Sequence, residues 1–400
     1  MKITKLTTRL VGLGFRNAIC VEIHTDEGLV GLGETVLKRR SKTVEQNLRE
    51  LARDLVGRDP LGPESHSERM YRDSFWVGGP LHASAISAVD AALWDLQGRA
   101  LGVPVWRLLG GPTRTSIPVY CHAPAGDSPE SFAEGLKRCR AWGYRAAKTT
   151  LPLFYGEAGG GDGPDRGGAG TGYSGHGGQI APGLREAEWL ATSTFSRIAE
   201  FFAAGREAVG PDFEIAVDCH GRLNPAAAIR LAEALAPYRL LFIEEPVPPE
   251  DPGALREVTA HSTTPIAAGE RLATIYGVRP FLESRSLSVL QTDVANCGGL
   301  TAAKKIAAMA ESYYVPVSPH NPNGPIATAM AVHLLAAIPN GYMLEMIGSP
   351  DDVELHAQMV AAPLRPENGE IRVPTSPGLG MELLPGVEER LPYRAFAAGR

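Results

Sequence analysis

Three short apolar-rich runs open the chain and predict a small meander of strands. The runs are Ile3–Leu13, Ile19–His24 and Val30–Gly33. The polar segment Thr25-Asp26-Glu27-Gly28 lies between the last two runs and suits a hairpin turn. From residue 44 to residue 111 the apolar positions recur with a helical period instead. Residues 1–115 therefore predict an α+β first domain.

From about residue 115 the pattern changes to short apolar strands that alternate with amphipathic helices, which is typical of a parallel βα array. Eight candidate strands follow one another: Ile117–Cys121, Ala146–Thr150, Glu214–Asp218, Leu241–Glu244, Ile266–Glu270, Val289–Asp293, Val315–Ser318 and Tyr342–Glu345. Eight such units predict a closed (β/α)-barrel, a modified TIM barrel, over residues 116–365. The predicted fold class is thus α/β, with residues 1–115 as an α+β capping domain.

Several predicted helices carry a start signal, in which a capping side chain precedes a proline at the first helical position. These pairs are Ser128-Pro129, Asn224-Pro225 and Asp251-Pro252. Each pair predicts where a helix begins after its strand, which supports the alternation of strands and helices.

Two stretches depart from this alternation. Residues 156–183 are dominated by glycine and form a far longer segment than a usual βα loop. Their composition favours a flexible, solvated insertion, and a lid over the active site is the alternative. The Pro- and Gly-rich tail, residues 366–400, is expected to be irregular and to pack back on the first domain, completing it.

The overall charge narrows the class of partner. The 400 residues carry a net charge of -6, with 44% hydrophobic and 21% charged residues. Such a chain has no basic field for a nucleic acid or an anionic membrane, and no run approaches the apolar length of a membrane helix. We therefore expect a small-molecule substrate, no nucleic acid and no membrane, and we expect a homo-oligomer of unspecified size.

The cysteines indicate a reducing compartment. They are odd in number, widely spaced and free of any C-x-x-C pair: Cys20, Cys121, Cys139, Cys219 and Cys297. This spacing argues against a disulfide framework and against a zinc knuckle. Because the first residues never build the apolar run of a signal peptide, we expect a cytoplasmic protein.

Acidic residues end three consecutive candidate strands. They are Asp218, Glu244 and Glu270, and their spacing is regular, since 244 − 218 = 26 and 270 − 244 = 26. Functional groups of a (β/α)-barrel lie at the C-terminal ends of its strands, which stand roughly 5 Å apart, so the three carboxylates can converge on one cation. A set of hard oxygen ligands without cysteine selects Mg²⁺, or Mn²⁺ as a substitute.

Two histidines follow the same strand ends. His320 comes after the seventh strand, and Asp293 ends the sixth, where its carboxylate can orient the imidazole and stabilise its cation. We expect this pair to act as a general base. His220 lies two residues after Asp218, and strand alternation points it toward the metal, where it can act as a general acid.

Two further groups complete the predicted site. Lys148 lies on the second strand and Glu345 ends the eighth, where both can stabilise an enediolate and bind the substrate carboxylate. The remaining histidines outside the glycine-rich segment are expected to be ordinary surface or core residues: His24, His66, His82, His122, His261, His333 and His356. Four loop residues are expected to be solvated: Arg16, Tyr155, Tyr173 and His176.

Several stretches resemble the enolase superfamily, in particular the mandelate racemase subgroup and its galactonate dehydratase-like acid-sugar dehydratases. They are residues 85–90 through 109–111, Asp218-Cys219-His220-Gly221-Arg222, Phe242-Ile243-Glu244-Glu245-Pro246, Ala268-Gly269-Glu270-Arg271 and Pro319-His320-Asn321-Pro322. Sites of this superfamily with a Lys or His base and Mg²⁺ are an established pattern. The similarity spans nearly the whole chain.

The resemblance implies the same roles as the strand-end argument. Asp218, Glu244 and Glu270 would hold Mg²⁺, His320 with Asp293 would be the base, His220 the acid and Glu345 an enediolate partner. The resemblance also implies that the first domain covers the barrel and contributes specificity loops. The candidate loops are Gly14-Phe15-Arg16-Asn17 and Trp76-Val77-Gly78-Gly79.

One departure from the subgroup indicates the type of reaction. Its racemases carry Lys-x-Lys on the second strand, where the second lysine faces the His-Asp base, whereas this chain has Lys148-Thr149-Thr150. Thr150 cannot act as a base near neutral pH. A single base with an acid near the metal favours loss of the α-proton and then of the β-hydroxyl over two-base racemisation.

The predicted reaction is the dehydration of a sugar acid, an aldonate such as galactonate, gluconate or mannonate, to a 2-keto-3-deoxy acid. His320 takes the C2 proton and His220 protonates the departing 3-hydroxyl. Two alternatives stay open. One is an epimerase or cycloisomerase on the same scaffold, and the other is a catalytically silent sugar-acid binding protein.

Overall fold

The runs at the start of the chain form an antiparallel sheet in the computed structural model, which describes residues 1–14, 16–73, 75–154 and 190–395. Its strands are β1 (Ile3–Leu13), β2 (Arg16–Thr25) and β3 (Val30–Thr35), in the order β1-β2-β3. Residues 26–28 form the turn between β2 and β3. The predicted meander and its hairpin are therefore confirmed.

Four helices follow this sheet: α1 (Ser41–Leu55), α2 (Pro63–Arg72), α3 (Pro80–Leu101) and α4 (Val105–Leu108). The long helix α3 packs directly on β3. Gly31 and Gly33 permit this approach, because a Cβ atom at either position would collide with the backbone of α3 at Ala92 or Ala88. Sheet and helices together enclose a separate apolar core that includes Ile19.

The next strands form a parallel sheet. They are β4 (Ser116–Ala123), β5 (Ala146–Thr150), β6 (Glu214–Asp218), β7 (Ile243–Glu244), β8 (Ile266–Ala268), β9 (Val289–Leu290) and β10 (Leu344–Met346). Their order is β10-β4-β5-β6-β7-β8-β9, and each neighbouring pair is parallel. The first and last predicted strands of the array are thus neighbours, an arrangement consistent with a barrel.

Several predicted strands are shorter in the structure. The seventh, Val315–Ser318, is reduced to single bridges that join Val317 to Leu290 and to Gly341. Pro316 lies within this segment and Pro319 directly follows it, and proline has no N–H group to extend a ladder. The fifth and sixth strands end before Glu270 and Asp293, so these acids lie just beyond the sheet.

Helices alternate with these strands. They are α5 (Pro129–Ala141), α6 (Thr192–Val209), α7 (Pro225–Leu235), α8 (Pro252–His261), α9 (Thr274–Glu283), α10 (Gly299–Glu311) and α11 (Pro325–Ala337). The side chains of Ser128, Asn224 and Asp251 each accept a hydrogen bond from a backbone N–H in the first turn of α5, α7 and α8. The three predicted helix starts are therefore confirmed.

The tail contains more regular structure than its composition predicts. Two elements precede it, α12 (Pro350–Ala357) and β11 (Val360–Ala361). Its own short elements are β12 (Glu370–Arg372), β13 (Glu382–Leu383) and α13 (Val387–Arg390). It does pack on the first sheet, since Gly12 N donates to Leu391 O at 2.9 Å and Asn17 Nδ2 donates to Arg394 O at 3.0 Å.

Some predictions concern residues that the structure does not describe. The glycine-rich residues 156–183, with Tyr155, Tyr173 and His176, lie outside them. Within the described ranges, no helix combines the length and apolar character needed to cross a membrane. All five cysteines fall inside these ranges, and each is buried with a free thiol.

The cap of α8 provides a test of local helix stability. Asp251 is exposed and accepts a hydrogen bond from Gly253 N at 2.7 Å. We expect Asp251→Ala to lower the free energy of unfolding by about 1 kcal/mol, measured by urea denaturation, because the first turn loses an acceptor. Asp251→Asn keeps that acceptor and should retain most of the stability, and an equal loss in both variants would contradict the capping role.

Candidate active site

The three predicted metal-binding carboxylates lie side by side at the C-terminal edge of the parallel sheet. Asp218 ends β6 and is paired in register with Glu244, which ends β7. Glu270 follows two residues after β8, the next strand along the sheet. Asp218 and Glu244 are buried, and the side chain of Glu270 is only 12% exposed. The sequence-predicted convergence of the three acids is thus present in the structure.

Lys148 lies at the centre of this acidic edge. Its Nζ atom is 2.9 and 2.8 Å from the two carboxylate oxygens of Glu244 and 2.8 Å from Oε1 of Glu345. The same atom is 3.4 Å from Oδ2 of Asp218. The lysine side chain is 3% exposed. A single buried cation is therefore shared by three carboxylates from three strands.

The pKa values of this cluster follow from burial and from its charges. Burial alone would lower the pKa of Lys148, but the surrounding carboxylates raise it well above its usual range. Burial would raise the pKa of Asp218, whereas the charges of His220 and Lys148 lower it to about 2. For Glu244, burial and the charge of Asp218 together raise the pKa. Lys148 therefore stays protonated among these carboxylates.

His320 and Asp293 meet as predicted. The imidazole Nδ1 of His320 lies 2.8 Å from Oδ2 of Asp293, and its Nε2 lies 2.6 Å from Oε2 of Glu270. Although burial lowers the pKa of His320, the charge of Glu270 and the bond to Asp293 raise it overall. Asp293 is buried and bonds one ring nitrogen, and the other, Nε2, is directed at the acidic edge.

His220 lies beside Asp218, but not for the predicted reason. It is beyond the end of β6, in a left-handed backbone conformation with φ of 49°, so strand alternation does not set its direction. Its backbone N–H donates to Oδ1 of Asp218 at 2.9 Å, and its Nε2 lies 3.0 Å from Oδ2. The turn after β6 therefore folds the imidazole back onto Asp218.

Glu345 is held by groups that include one histidine expected to be ordinary. His122, near the end of β4, bonds Oε1 of Glu345 through Nε2 and is 8% exposed. The backbone N–H of Asn321 donates to Oε2 at 3.0 Å. The expectation for His122 is wrong in that it belongs to this cluster, and its position directly after a candidate strand was the signal that could have identified it.

The structure adds amide side chains that sequence reasoning missed. Gln291 Nε2 donates to Oε2 of Glu244 at 2.7 Å. Asn323 Nδ2 donates to both oxygens of Asp293 at 3.2 and 3.1 Å, and Asn296 Nδ2 donates to Oδ2 at 2.9 Å. An uncharged amide side chain gives no signal in the sequence that it belongs to an acidic cluster. These residues are identified only by where the fold places the loops that carry them.

A cavity of about 350 Å³ opens between this edge and the first sheet. Its lining includes Glu270, Asp293 and His320 from one side and Arg16 and Lys38 from the other. Arg16 begins β2 and is 5% exposed, so the expectation that it is a solvated loop residue is wrong.

The two candidate specificity loops differ in their position. Arg16, from the first loop, lines this cavity. Trp76, Gly78 and Gly79, from the second loop, line a neighbouring cavity of about 550 Å³, and Pro80 borders both spaces.

The donor chemistry of the acidic edge suits Mg²⁺, but the side chains are not arranged as a ready ligand set. Asp218, Glu244 and Glu270 supply hard carboxylate oxygens from adjacent strands. In the part of the chain that the structure describes, no three His, Cys, Asp or Glu side chains stand as a metal-binding group. Lys148, His220 and His320 contact the carboxylate oxygens instead. The residue types fit the ion, while their oxygens already contact one lysine and two histidines.

The chain matches two family models. Residues 8–110 match the mandelate racemase / muconate lactonizing enzyme N-terminal domain, and residues 177–387 match the enolase C-terminal domain-like family. These matches lie in the order that the resemblance implies.

Similar proteins cover nearly the whole chain. The D-galactonate dehydratase of Ralstonia pickettii is 35% identical over 392 residues, which is 96% of this chain and 92% of that protein. The D-galactonate dehydratase of Cronobacter sakazakii is 35% identical over 398 residues, with the same shares covered. A crystal structure of a member of the enolase superfamily from Salmonella Typhimurium superposes with a TM-score of 0.86 at 32% identity and covers 98% of each chain. These findings confirm the resemblance, and the chain belongs to the mandelate racemase / muconate lactonizing enzyme family of the enolase superfamily.

Proposed function

We propose that this dehydratase, a carbon–oxygen hydro-lyase, is magnesium-dependent and acts on an aldonate such as galactonate, gluconate or mannonate. It removes the C2 proton and eliminates the 3-hydroxyl, which gives a 2-keto-3-deoxy acid. The observation that carries the proposal is the His320–Asp293 pair, whose Nε2 faces the acidic edge inside a cavity large enough for a small sugar acid. The curated dehydratases that resemble the chain over most of its length support the same class of reaction.

Asp218, Glu244 and Glu270 would hold the metal. They are the hard oxygen donors at this edge, and Mg²⁺ prefers such ligands. When bound, the ion supplies positive charge that stabilises the oxygens of a substrate carboxylate as negative charge develops on them. The excess of carboxylates over Lys148 at this edge supports a second cation there.

His320 is the proposed general base. Asp293 accepts the Nδ1–H bond, which fixes the ring and its tautomer. The Glu270 carboxylate that contacts Nε2 is a proposed metal ligand, so its engagement by the ion would free Nε2 to take the C2 proton. The carboxylate of Asp293 also stabilises the imidazolium that forms. The short loop that carries His320 is therefore the element on which the rate of proton removal depends.

His220 is the proposed general acid. It lies on the opposite side of the acidic edge from His320, next to Asp218, which stabilises the protonated imidazole. From there it can donate a proton to the departing 3-hydroxyl, which leaves as water. The enol that remains tautomerises to the keto acid.

Lys148 and Glu345 are proposed to stabilise the negative charge that develops on the substrate. They do not move protons at C2. Three carboxylates surround Lys148, so it stays protonated and cannot act as a second base. The neighbouring position Thr150 carries no base either. This arrangement with one base supports elimination over two-base racemisation or epimerisation.

The wider organisation is part of the same proposal. We infer that the parallel sheet closes into a (β/α)-barrel, since bridges at Val317 lie between β9 and the residues just before β10. Residues 1–115, with the tail 366–400, would form the capping domain over a barrel of residues 116–365. The five free, buried cysteines support a cytoplasmic setting. The homo-oligomer stays a prediction of the sequence.

A screen of aldonates with Mg²⁺ tests the reaction. We expect at least one acid to yield a 2-keto-3-deoxy product, detected colorimetrically, and His320→Asn to lower kcat by about 10²–10⁴-fold because the base is lost. Wild-type protein that neither dehydrates an acid nor exchanges its C2 proton would point to a silent binding protein.

The role of His220 can be separated from that of His320 by isotope exchange. We expect His220→Asn to keep the exchange of C2 hydrogen with deuterated solvent, because His320 still removes that proton, while dehydration falls by about 10²-fold or more. Proton NMR follows the exchange, and the keto-acid assay follows the product. Exchange without product in the wild-type enzyme would instead favour an epimerase or cycloisomerase.

The proposed metal ligands predict a direct binding result. We expect calorimetry to detect Mg²⁺ binding to the wild-type protein, and Asp218→Asn and Glu270→Gln each to weaken it at least about tenfold, because each removes a charged oxygen ligand. Asp95→Asn is the matched control, since Asp95 is likewise buried but pairs with Arg99, outside the proposed ligand set. Equal binding in all variants would remove these carboxylates from the metal site.

A further inference from the structure

Asp293 lies in a loop that the first part of the chain holds in place. Its carboxylate accepts the Nδ2 hydrogen bond of Asn296, and Oδ1 of Asn296 lies 2.8 Å from the Ser84 hydroxyl of α3. The Thr35 hydroxyl, at the end of β3, donates to Ala295 O at 2.8 Å. Two elements from before residue 115 thus contact Ala295 and Asn296, two and three residues after Asp293.

A polar stripe on α3 continues this contact. Ser87 Oγ accepts the backbone N–H of Gly298 at 2.9 Å. Asp90, one turn further, accepts the backbone N–H of Thr301 at 3.0 Å and its hydroxyl at 2.5 Å. Because Ser84, Ser87 and Asp90 are spaced three residues apart, they lie on one face of the helix. That face follows the chain from Asp293 into the first turn of α10.

Glu34 forms equivalent hydrogen bonds with the loop that carries His320 and with the helix that follows it. It lies on β3 and is fully buried. Its Oε1 accepts the N–H of Gly324 at 2.6 Å, and its Oε2 accepts the N–H groups of Ile326 and Ala327 at 3.0 and 3.3 Å. These donors are the start of α11, which begins at Pro325, five residues after His320.

The two helices depend on these distant carboxylates because they have no cap of their own. No side chain at Gly298 or Gly324, their N-cap residues, caps α10 or α11. Unsatisfied N–H groups at a helix start favour a nearby anion. By contrast, α5, α7, α8 and α12 each have a local cap from the preceding residue.

The fit is close at both contacts. A Cβ atom at Gly299 would collide with the carboxylate of Asp90, and one at Gly324 would collide with that of Glu34. Each carboxylate therefore approaches the backbone to a distance that only glycine allows. Such contacts resist movement of the two loops.

We propose that Glu34, Ser84 and Asp90 are positioning residues that set the distance and angle between His320 and Asp293. They touch neither substrate nor the acidic edge in this role, and they act by holding the two loops that carry the pair. The inference rests on the proposed function, in which this pair is the base. Since a displacement of 1 Å can lower the rate about 100-fold, loss of these contacts should reduce kcat.

The control is a third buried carboxylate, Asp95, on the same helix as Asp90. Asp95 accepts the backbone N–H groups of Leu32 and Leu379 at 2.9 and 2.7 Å and pairs with Arg99. It is as buried as Asp90 but contacts the tail and β3 instead of a loop of the pair. Asp95→Ala should therefore destabilise the fold without moving His320 or Asp293.

The test compares Glu34→Ala and Asp90→Ala with Asp95→Ala, all with the full chain and saturating Mg²⁺. We expect kcat to fall about 100-fold in the first two, with KM within about threefold, because the base acts in the transition state and not in substrate binding. Asp95→Ala should keep kcat within about threefold of wild type despite a comparable fall in Tm. A kcat that falls equally in all three variants would overturn the proposal.

Conservative variants separate positioning from folding. Glu34→Gln and Asp90→Asn keep an oxygen acceptor, and we expect each to recover at least about tenfold of the kcat lost in its alanine variant. If an alanine variant does not fold, the conservative variant carries the test, with an expected loss of kcat of about tenfold at unchanged KM. Wild-type kcat in both conservative variants would then contradict the proposal.

A structural measurement distinguishes failure of this inference from failure of the proposed function. Crystal structures of wild type and Glu34→Ala, or Glu34→Gln if needed, should show the His320–Asp293 separation increased from 2.8 Å or the ring rotated. An unchanged pair would overturn the positioning role whatever the activity. A displaced pair in a protein that acts on no sugar acid would preserve the positioning role and reject the proposed function.

Discussion

The acidic edge of the parallel sheet depends on Lys148. Burial of one carboxylate costs several kcal/mol, and this edge brings Asp218, Glu244 and Glu345 together with little exposure to water. Lys148 Nζ contacts all three, so one buried cation offsets much of their repulsion. Without such a cation the three carboxylates would repel one another across strand ends whose spacing the backbone hydrogen bonds fix.

The charges around Lys148 give chemically similar side chains different pKa values and different partners. Nearby cations lower the pKa of Asp218 to about 2, whereas burial and the neighbouring charge of Asp218 raise that of Glu244. His320 and His220 lie at opposite ends of the same edge, each against a different acid. The two imidazoles therefore differ in the carboxylate that each contacts, and this difference accompanies their different proposed roles.

The first sheet and α3 contribute to the site at two levels. Arg16 reaches the cavity directly, so this part of the fold can contact a substrate. Glu34 and Asp90 lie behind the loops and bond the starts of α11 and α10. The same part of the fold therefore lines the cavity and also forms hydrogen bonds with the starts of the two helices that follow Asp293 and His320.

Local patterns in the sequence determined much of this protein. Period-two and helical patterns gave the meander and the alternation of strands and helices, and proline after a polar residue gave three helix starts. The strand-end rule places Asp218, Glu244 and Glu270 at one edge, because parallel strands end on the same side of a sheet. Pro316 and Pro319 were visible in the sequence too, although their effect on the seventh strand was not anticipated.

Only the tertiary structure decided which distant side chains meet. His122 bonds Glu345 across 223 residues of sequence, and Glu34 bonds Gly324 across 290. Arg16 is buried because the first sheet faces the cavity. The local sequence around Arg16 does not indicate this burial. Sequence periodicity records which face of an element is apolar and where that element ends. The pairing of groups from separate elements depends on how the elements pack, and packing is a property of the whole chain.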